Sequence, residues 1–296
     1  MNKSLEIRFI ILLLITVCTS CLSPRHREGK ATFFSFTDCY GRTVDIDSVP
    51  RRIISLSPSV TEMIFMLQSE NLLVGISDFC HYPAATDTMH RVGGLQNVNI
   101  ESLMACRPDV VIIGSIVSRQ DVEKMENAGL KVLILREETR LEGLCDALST
   151  LGKLLNREEL AERKVDSVNK ELALVRQSVD TGVAARKVYY VVGFGEEGDF
   201  TAPSGSHIDE IITCAGGINV GKTLTNWSVS REYLFESDPD IIIVRKEDLD
   251  AFIHTRPYTM LTAVRKGKVY PIDSGWIDIV SPRNVEAVKY INNLLK

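Results

Sequence analysis

Residues 101–113, ESLMACRPDVVII, and residues 232–244, EYLFESDPDIIIV, are two copies of one pattern at a constant offset. Each reads Glu-x-Leu, four variable positions, Pro-Asp, and then four consecutive Val or Ile residues. Proline donates no backbone hydrogen bond and clashes with the preceding turn, so Pro108 and Pro239 each predict the end of a short helix. An unbroken β-branched run predicts a strand buried on both faces, as in a parallel sheet covered by helices on either side. A repeated unit of helix and buried strand predicts two α/β lobes of like plan.

The pattern extends in both directions. GLKVLIL (129–135) and GKVYPI (267–272) each pair a glycine helix end with a strand, and RKVYYVV (186–192) opens the second half as RIISLS (52–57) opens the first. Ser59 and Glu62 stand at capping-box spacing for a helix from Thr61 to about Gln68. Thr37 to Val44 reads as a hairpin around Gly41. Between the halves, Arg157 to about Val179 contains neither Gly nor Pro. Its apolar positions Leu160, Val165, Val168, Leu172, Val175 and Val179 predict one long amphipathic helix. The expected organisation is a first lobe at 37–153, a bridging helix at 154–182 and a second lobe at 183–296. A continuous helix permits only a small rocking of one lobe against the other.

The first 36 residues read differently. Lys3 and Arg8 precede an apolar run, Phe9 to Val17, that ends at Thr19-Ser20 before Cys21. The run is too short for a permanent membrane span and resembles a bacterial lipoprotein signal, with Cys21 as the lipidated residue. Residues 1–20 are then a signal peptide, and 21–36 a lipidated polar tether.

Composition narrows the function classes. Of 296 residues, 45% are apolar and 25% charged, which excludes a disordered chain and a multi-span membrane protein. The formal charge of −5 becomes one unit more negative once residues 1–20 are removed, so nucleic acid is a poor partner. Seven cysteines reduce to Cys39, Cys80, Cys106, Cys145 and Cys214 beyond Cys21, an odd number without a C-x-x-C pair. The five histidines are dispersed, and neither a metal centre nor a cofactor is expected. The nucleophile-elbow and zinc-protease motifs are absent from the sequence, and no G-x-G-x-x-G opens a predicted helix.

What stands out is aromatic and glycine-rich sequence after the predicted strands, where open α/β sheets place ligands. Phe79 and Tyr82 follow the strand at 72–76, Gly93-Gly94-Leu95 precedes the first repeat helix, and Phe194 follows the strand at 188–192. Trp227 lies in a polar loop before Ser230, and Trp276, with Asp278 beyond it, follows the strand at 269–272. A Trp in a polar loop suits stacking on a flat apolar ligand as well as anchoring the loop on its own lobe. Glu101 and Glu232 hold matching places in the repeat, with Asn99 and Ser230 as N-caps, where a carboxylate complements the helix dipole. If the lobes are related by an approximate two-fold, the two carboxylates also suit a dimeric partner with paired basic sites.

The stretches RIISLSPSVTE (52–62), VGIS (74–77), Asp78 to Pro83, Asn99 to Leu103 with PDVVI (108–112), WSVSRE (227–232), and Trp276 with SPR (281–283) resemble the helix-bridged substrate-binding proteins of ABC importers. The resemblance runs from about residue 37 to 296. It implies a non-catalytic fold of two Rossmann-like lobes joined by one long helix, serving haem, iron-siderophore or corrinoid uptake. WSVSRE and the late Trp276 to Arg283 stretch are most similar to the members that bind vitamin B12 (cobalamin) and related corrinoids. It further implies ligand contacts at Ser59, Phe79, Phe194, Trp227, Trp276 and Asp278, to which the loop reading adds Tyr82 and Leu95, and docking of Glu101 and Glu232 on the two copies of the permease. Where members carry further tryptophans this chain has Leu95 and Gly114-Ser115, so the implied cleft is less aromatic. The family's cysteine partner for Cys214 is missing from the C-terminal helix, which makes Cys214 an expected buried free thiol. The implied setting is the periplasm, with the membrane reached only through the N-terminal lipid. The alternatives are a haem or ferric-siderophore binder on the same fold and, of another class, an enzyme or chelatase using the cleft.

Overall fold

The two copies of the repeat occupy equivalent places in the computed structural model, which describes residues 32–94, 98–114, 117–135, 140–179 and 184–296. A hairpin of β1 (Phe34–Thr37) and β2 (Thr43–Ile46) leads into the first lobe. There β3 (Ile53–Ser55), β4 (Leu73–Ile76), β5 (Val110–Ile113) and β6 (Val132–Ile134) form a parallel sheet in the order β4-β3-β5-β6. In the second lobe β7 (Lys187–Val191), β9 (Ile218–Asn219), β11 (Ile241–Arg245) and β12 (Val269–Ile272) repeat that order as β9-β7-β11-β12. A short antiparallel ribbon of β8 (Asp199–Phe200) and β10 (Ser228–Val229) borders it. Strand order reverses beside β3 and beside β7, and the crevice outside the carboxyl ends of such strands is where open sheets hold ligands.

Helices α1 (Pro58–Met66), α2 (Ile100–Ala105) and α3 (Arg119–Asn127) cover the first sheet. Helices α4 (Leu141–Leu154) and α5 (Glu158–Ser178) follow. The second lobe carries α6 (His207–Cys214), α7 (Arg231–Ser237), α8 (Leu249–His254), α9 (Thr262–Arg265), α10 (Ser274–Ile277) and α11 (Asn284–Leu295).

The β-branched runs are buried on both faces, each face with its own partners. Val110 and Ile112 join Met63 and Ile64 of α1 and Leu151 of α4, whereas Val111 and Ile113 join Leu103 of α2 and Met125 of α3. In β11, Ile241 and Ile243 meet Leu172 of α5 and Val288 of α11, while Ile242 and Val244 meet Leu234 of α7 and Phe252 of α8. The Pro-Asp pair does more than stop a helix. Arg107 and Asp238 end α2 and α7 with φ of 45° and 40°. One residue past each proline, Asp109 accepts the backbone N–H of Arg52 (3.0 Å) and Asp240 that of Lys187 (2.8 Å). Each aspartate thus pins the start of the neighbouring strand, β3 or β7, to its own.

Two local expectations change. Helix α1 starts at Pro58 with Ser57 as its N-cap, and no side-chain cap is made. Proline is pre-organised for the first helical position and has no N–H to satisfy, so the start moves upstream of the expected Thr61. Ser59 and Glu62 therefore form no capping box and are free to reach other partners. Cys214 is a free thiol but half-buried, with the Arg176 Nη2 3.6 Å from its sulfur. Among the described residues Cys39, Cys80 and Cys106 also form no disulfide.

Helix α5 runs from the core of the first lobe, where Ala161 is buried, to that of the second, where Val168, Leu172 and Val175 are buried. Helix α4 lies alongside it: its first residue, Leu141, belongs to the second-lobe core, while Leu144 to Leu154 belong to the first. Close approach requires Gly152, because a Cβ there would stand 2.5 Å from the Ala161 Cβ. Gly152→Ala should therefore lower the urea midpoint, at a cost of about 1–3 kcal/mol from overpacking, although alanine is the better helix former by about 1 kcal/mol. Adding Ala161→Gly should restore part of the loss.

Candidate ligand cleft and docking carboxylates

The strand-to-helix turn after β3 faces the loop that follows β12, and the lobes touch there. The Ser59 hydroxyl donates to the Val280 carbonyl at 2.5 Å. Arg283 pairs with Glu62 through two parallel hydrogen bonds, Nε to Oε2 at 2.9 Å and Nη2 to Oε1 at 2.5 Å. The guanidinium also lies over the Tyr82 ring, 3.9 Å from its centroid. Glu62 is buried and Arg283 nearly so, so this is a desolvated bidentate pair with a cation–π contact added. Gly275 leaves room for it, since a Cβ there would meet the guanidinium at 2.3 Å. Two residues expected at the ligand, Ser59 and Tyr82, are thus also the first lobe's contacts with the second.

Large aromatic rings stand exposed at the carboxyl ends of both sheets. Phe79 is 54% exposed, Tyr82 48% and Trp227 41%. Trp227 adjoins β10, and its carbonyl accepts the Thr201 N–H at 2.9 Å. Trp276 is half-buried in α10, edge-on to Tyr290 with ring centroids 6.3 Å apart, and the Lys246 ammonium lies 5.8 Å from its ring. Phe194 points inward: it meets Phe252 and Tyr258 edge-on at 5.2 and 5.5 Å. Leu95 and Cys21 lie outside the described residues.

Asp278 sits in a polar network at the ends of β7 and β11. It accepts the Tyr190 hydroxyl at 2.5 Å and the Arg245 Nε at 2.6 Å, and Arg245 also donates to the Val192 carbonyl at 3.0 Å. Burial, then the Asp278 carboxylate beside it, pushes the Tyr190 phenol well up, so it remains a donor. Nearby, the His207 Nε2 is 2.8 Å from the Ile277 carbonyl, and burial pulls that imidazole down and keeps it neutral. Among the described residues no three His, Cys, Asp or Glu side chains come together as a metal site.

Glu101 and Glu232 are exposed in the first turns of α2 and α7. Asn99 caps α2 by accepting the Ser102 N–H, and Ser230 caps α7 by accepting the Tyr233 N–H, each at 3.1 Å. The backbone N–H of Glu232 itself, then the Ser230 hydroxyl, hold its carboxyl below the usual range, so it is ionised at neutral pH. Arg245, Asp199 and Tyr258 escaped sequence reasoning, and Glu62 was visible only as an expected capping-box residue. Arg283 was visible in the Ser281-Pro282-Arg283 stretch without its role.

This architecture has known counterparts. The chain belongs to the periplasmic binding protein family, which it matches over residues 53–275. It is 26% identical to a cobalamin-binding protein of Halobacterium salinarum over 97% of this chain and 84% of that one. It is 30% identical to a vitamin B12-binding protein of Salmonella typhi over 82% and 90%. Among solved structures, a periplasmic haem-binding protein from Pseudomonas aeruginosa superposes with a TM-score of 0.74 at 23% identity, over 83% of this chain and 92% of that one. That likeness concerns the fold.

Removing Arg283 strands a buried carboxylate. Arg283→Met should destabilise the protein by about 3–5 kcal/mol in urea unfolding, and Glu62→Leu with Arg283→Met should recover most of it.

Proposed function

We propose that the protein captures cobalamin or a related corrinoid between its lobes and delivers it to the permease of an ABC importer. The observation that carries this reading is the exposure of Phe79, Tyr82 and Trp227 at the carboxyl ends of the two sheets. Exposed rings on facing strand ends can stack on a ligand, and a broad, flat, largely apolar macrocycle suits them. The two relatives named for cobalamin and vitamin B12, which align along most of their length, support the choice of ligand. Asp278, Arg245 and Lys246 offer polar groups at the same strand ends for the amide side chains at a corrin's edge.

The role is binding without turnover, in keeping with a family of binding proteins. Glu101 and Glu232, one per lobe at equivalent helix starts, fit a two-fold permease with paired cationic sites. Among the described residues no helix is long and apolar enough to cross a membrane. Lipid on Cys21 would supply the attachment, on the periplasmic side.

Trp227→Ala should weaken cyanocobalamin binding more than tenfold by calorimetry, about the loss of one good aromatic contact or more. Unchanged affinity would remove that residue from the site, and saturable binding of haemin in place of cyanocobalamin would overturn the choice of ligand. In cells, Glu101→Ala with Glu232→Ala should abolish corrinoid uptake while leaving the purified protein's affinity unchanged. A parallel loss of affinity would contradict a docking role.

A further inference from the structure

The loop after β7, the strand that follows Trp227 and the start of α7 are held together by one buried carboxylate. Asp199, 4% exposed, accepts the Tyr258 hydroxyl on one oxygen and the Arg231 Nε on the other, the latter at 2.9 Å. Both sides of the Gly195 peptide are taken up by the same groups: its N–H donates to the Tyr258 hydroxyl at 2.9 Å, and its carbonyl accepts the Arg231 Nη2 at 2.7 Å. Gly195 has φ of 107°, a conformation that glycine alone adopts without strain. Tyr258 is in turn fixed by stacking on Phe252, with ring centroids 4.8 Å apart. Across this clasp, β10 pairs with β8, and Thr201 holds the Trp227 carbonyl.

Arg231 lies four residues after Trp227 and immediately before Glu232. Its guanidinium pairs with Asp199, and the neighbouring Glu232 carboxylate is exposed.

We infer that Arg231 is a positioning residue: through Asp199 and Tyr258 it makes the ligand-facing Trp227 and the docking carboxylate Glu232 parts of one rigid rim of the second lobe, touching neither ligand nor permease itself. This rests on the functional reading above for the roles of Trp227 and Glu232, but the rigidity of the rim does not. A charge-assisted hydrogen bond to a buried carboxylate is stronger than a neutral one and is lost with the guanidinium. Without it β10 and the start of α7 keep, toward the 193–201 segment, the two-residue ladder and the Thr201–Trp227 bond, a short attachment for an exposed indole.

The test has a ligand-free arm and a binding arm. In a Trp276→Phe background Trp227 is the sole tryptophan, so its fluorescence anisotropy decay reports its mobility directly. Arg231→Gln should add a large fast component, and Arg231→Lys, which retains the charge, a smaller one. An unchanged decay would overturn the inference, whatever the ligand. In the binding arm, with Trp276 intact, Arg231→Gln should weaken cyanocobalamin binding about fivefold or more, on the scale of one charge-assisted contact. The same change on top of Trp227→Ala should have almost no further effect. Additive losses would mean that Arg231 acts independently of Trp227 and would also overturn it. Failure of Trp227→Ala alone to alter affinity would count against the functional reading and leave the anisotropy result standing.

Discussion

The Arg283–Glu62 pair sets the relation of the two lobes. It joins the helix after the first strand of one lobe to the last loop of the other, and desolvation makes it strict: a buried carboxylate must find this guanidinium in this geometry. Replacing such a pair by apolar side chains costs little, whereas breaking it costs much, so its contribution lies in geometry more than in net stability. Helix α5, with Ala161 in the first-lobe core and Val168, Leu172 and Val175 in the second, is a second tie between the lobes. With two separate points of attachment, wide opening of the lobes would require breaking packed contacts at one of them, in keeping with a largely preformed cleft.

The lobes share a plan but not a surface chemistry. The repeat builds the same sheet order, the same capped helix start and the same aspartate pin in each. At the carboxyl end of the third strand, however, Arg245 of the second lobe corresponds to Gly114 of the first. The half-buried polar network of Tyr190, Arg245 and Asp278 belongs to the second lobe, and the exposed Phe79 and Tyr82 belong to the first. On the proposed reading, a ligand between them would meet Phe79 and Tyr82 on one side and, on the other, Trp227 and the charged groups of the second lobe. That asymmetry suits a macrocycle with an apolar face and a polar edge.

Most of the scaffold was legible because hydrophobic period and proline placement are local signals. The two E-x-L-x-x-x-x-P-D repeats located α2, α7, β5 and β11, and the Gly- and Pro-free stretch located α5. The N-caps Asn99 and Ser230 were legible for the same reason. The capping box at Ser59 and Glu62 misread the chain because the same spacing serves two ends, a helix start or a pair of contacts to another lobe. Pro58 decided between them. Glu62 with Arg283, Tyr258 with Asp199, and Arg245 with Asp278 are pairs distant in sequence, and only the folded chain brings them together. The aromatic loops were found from their position after strands. The inward turn of Phe194 was not, because its partners Phe252 and Tyr258 lie far along the chain.

The most direct test is a crystal structure with cyanocobalamin bound. The corrin ring should lie between the lobes in contact with Phe79, Tyr82 and Trp227, with the Glu62–Arg283 pair still formed. A corrin bound on an outer face, or a cleft that admits it only with that pair broken, would contradict the account.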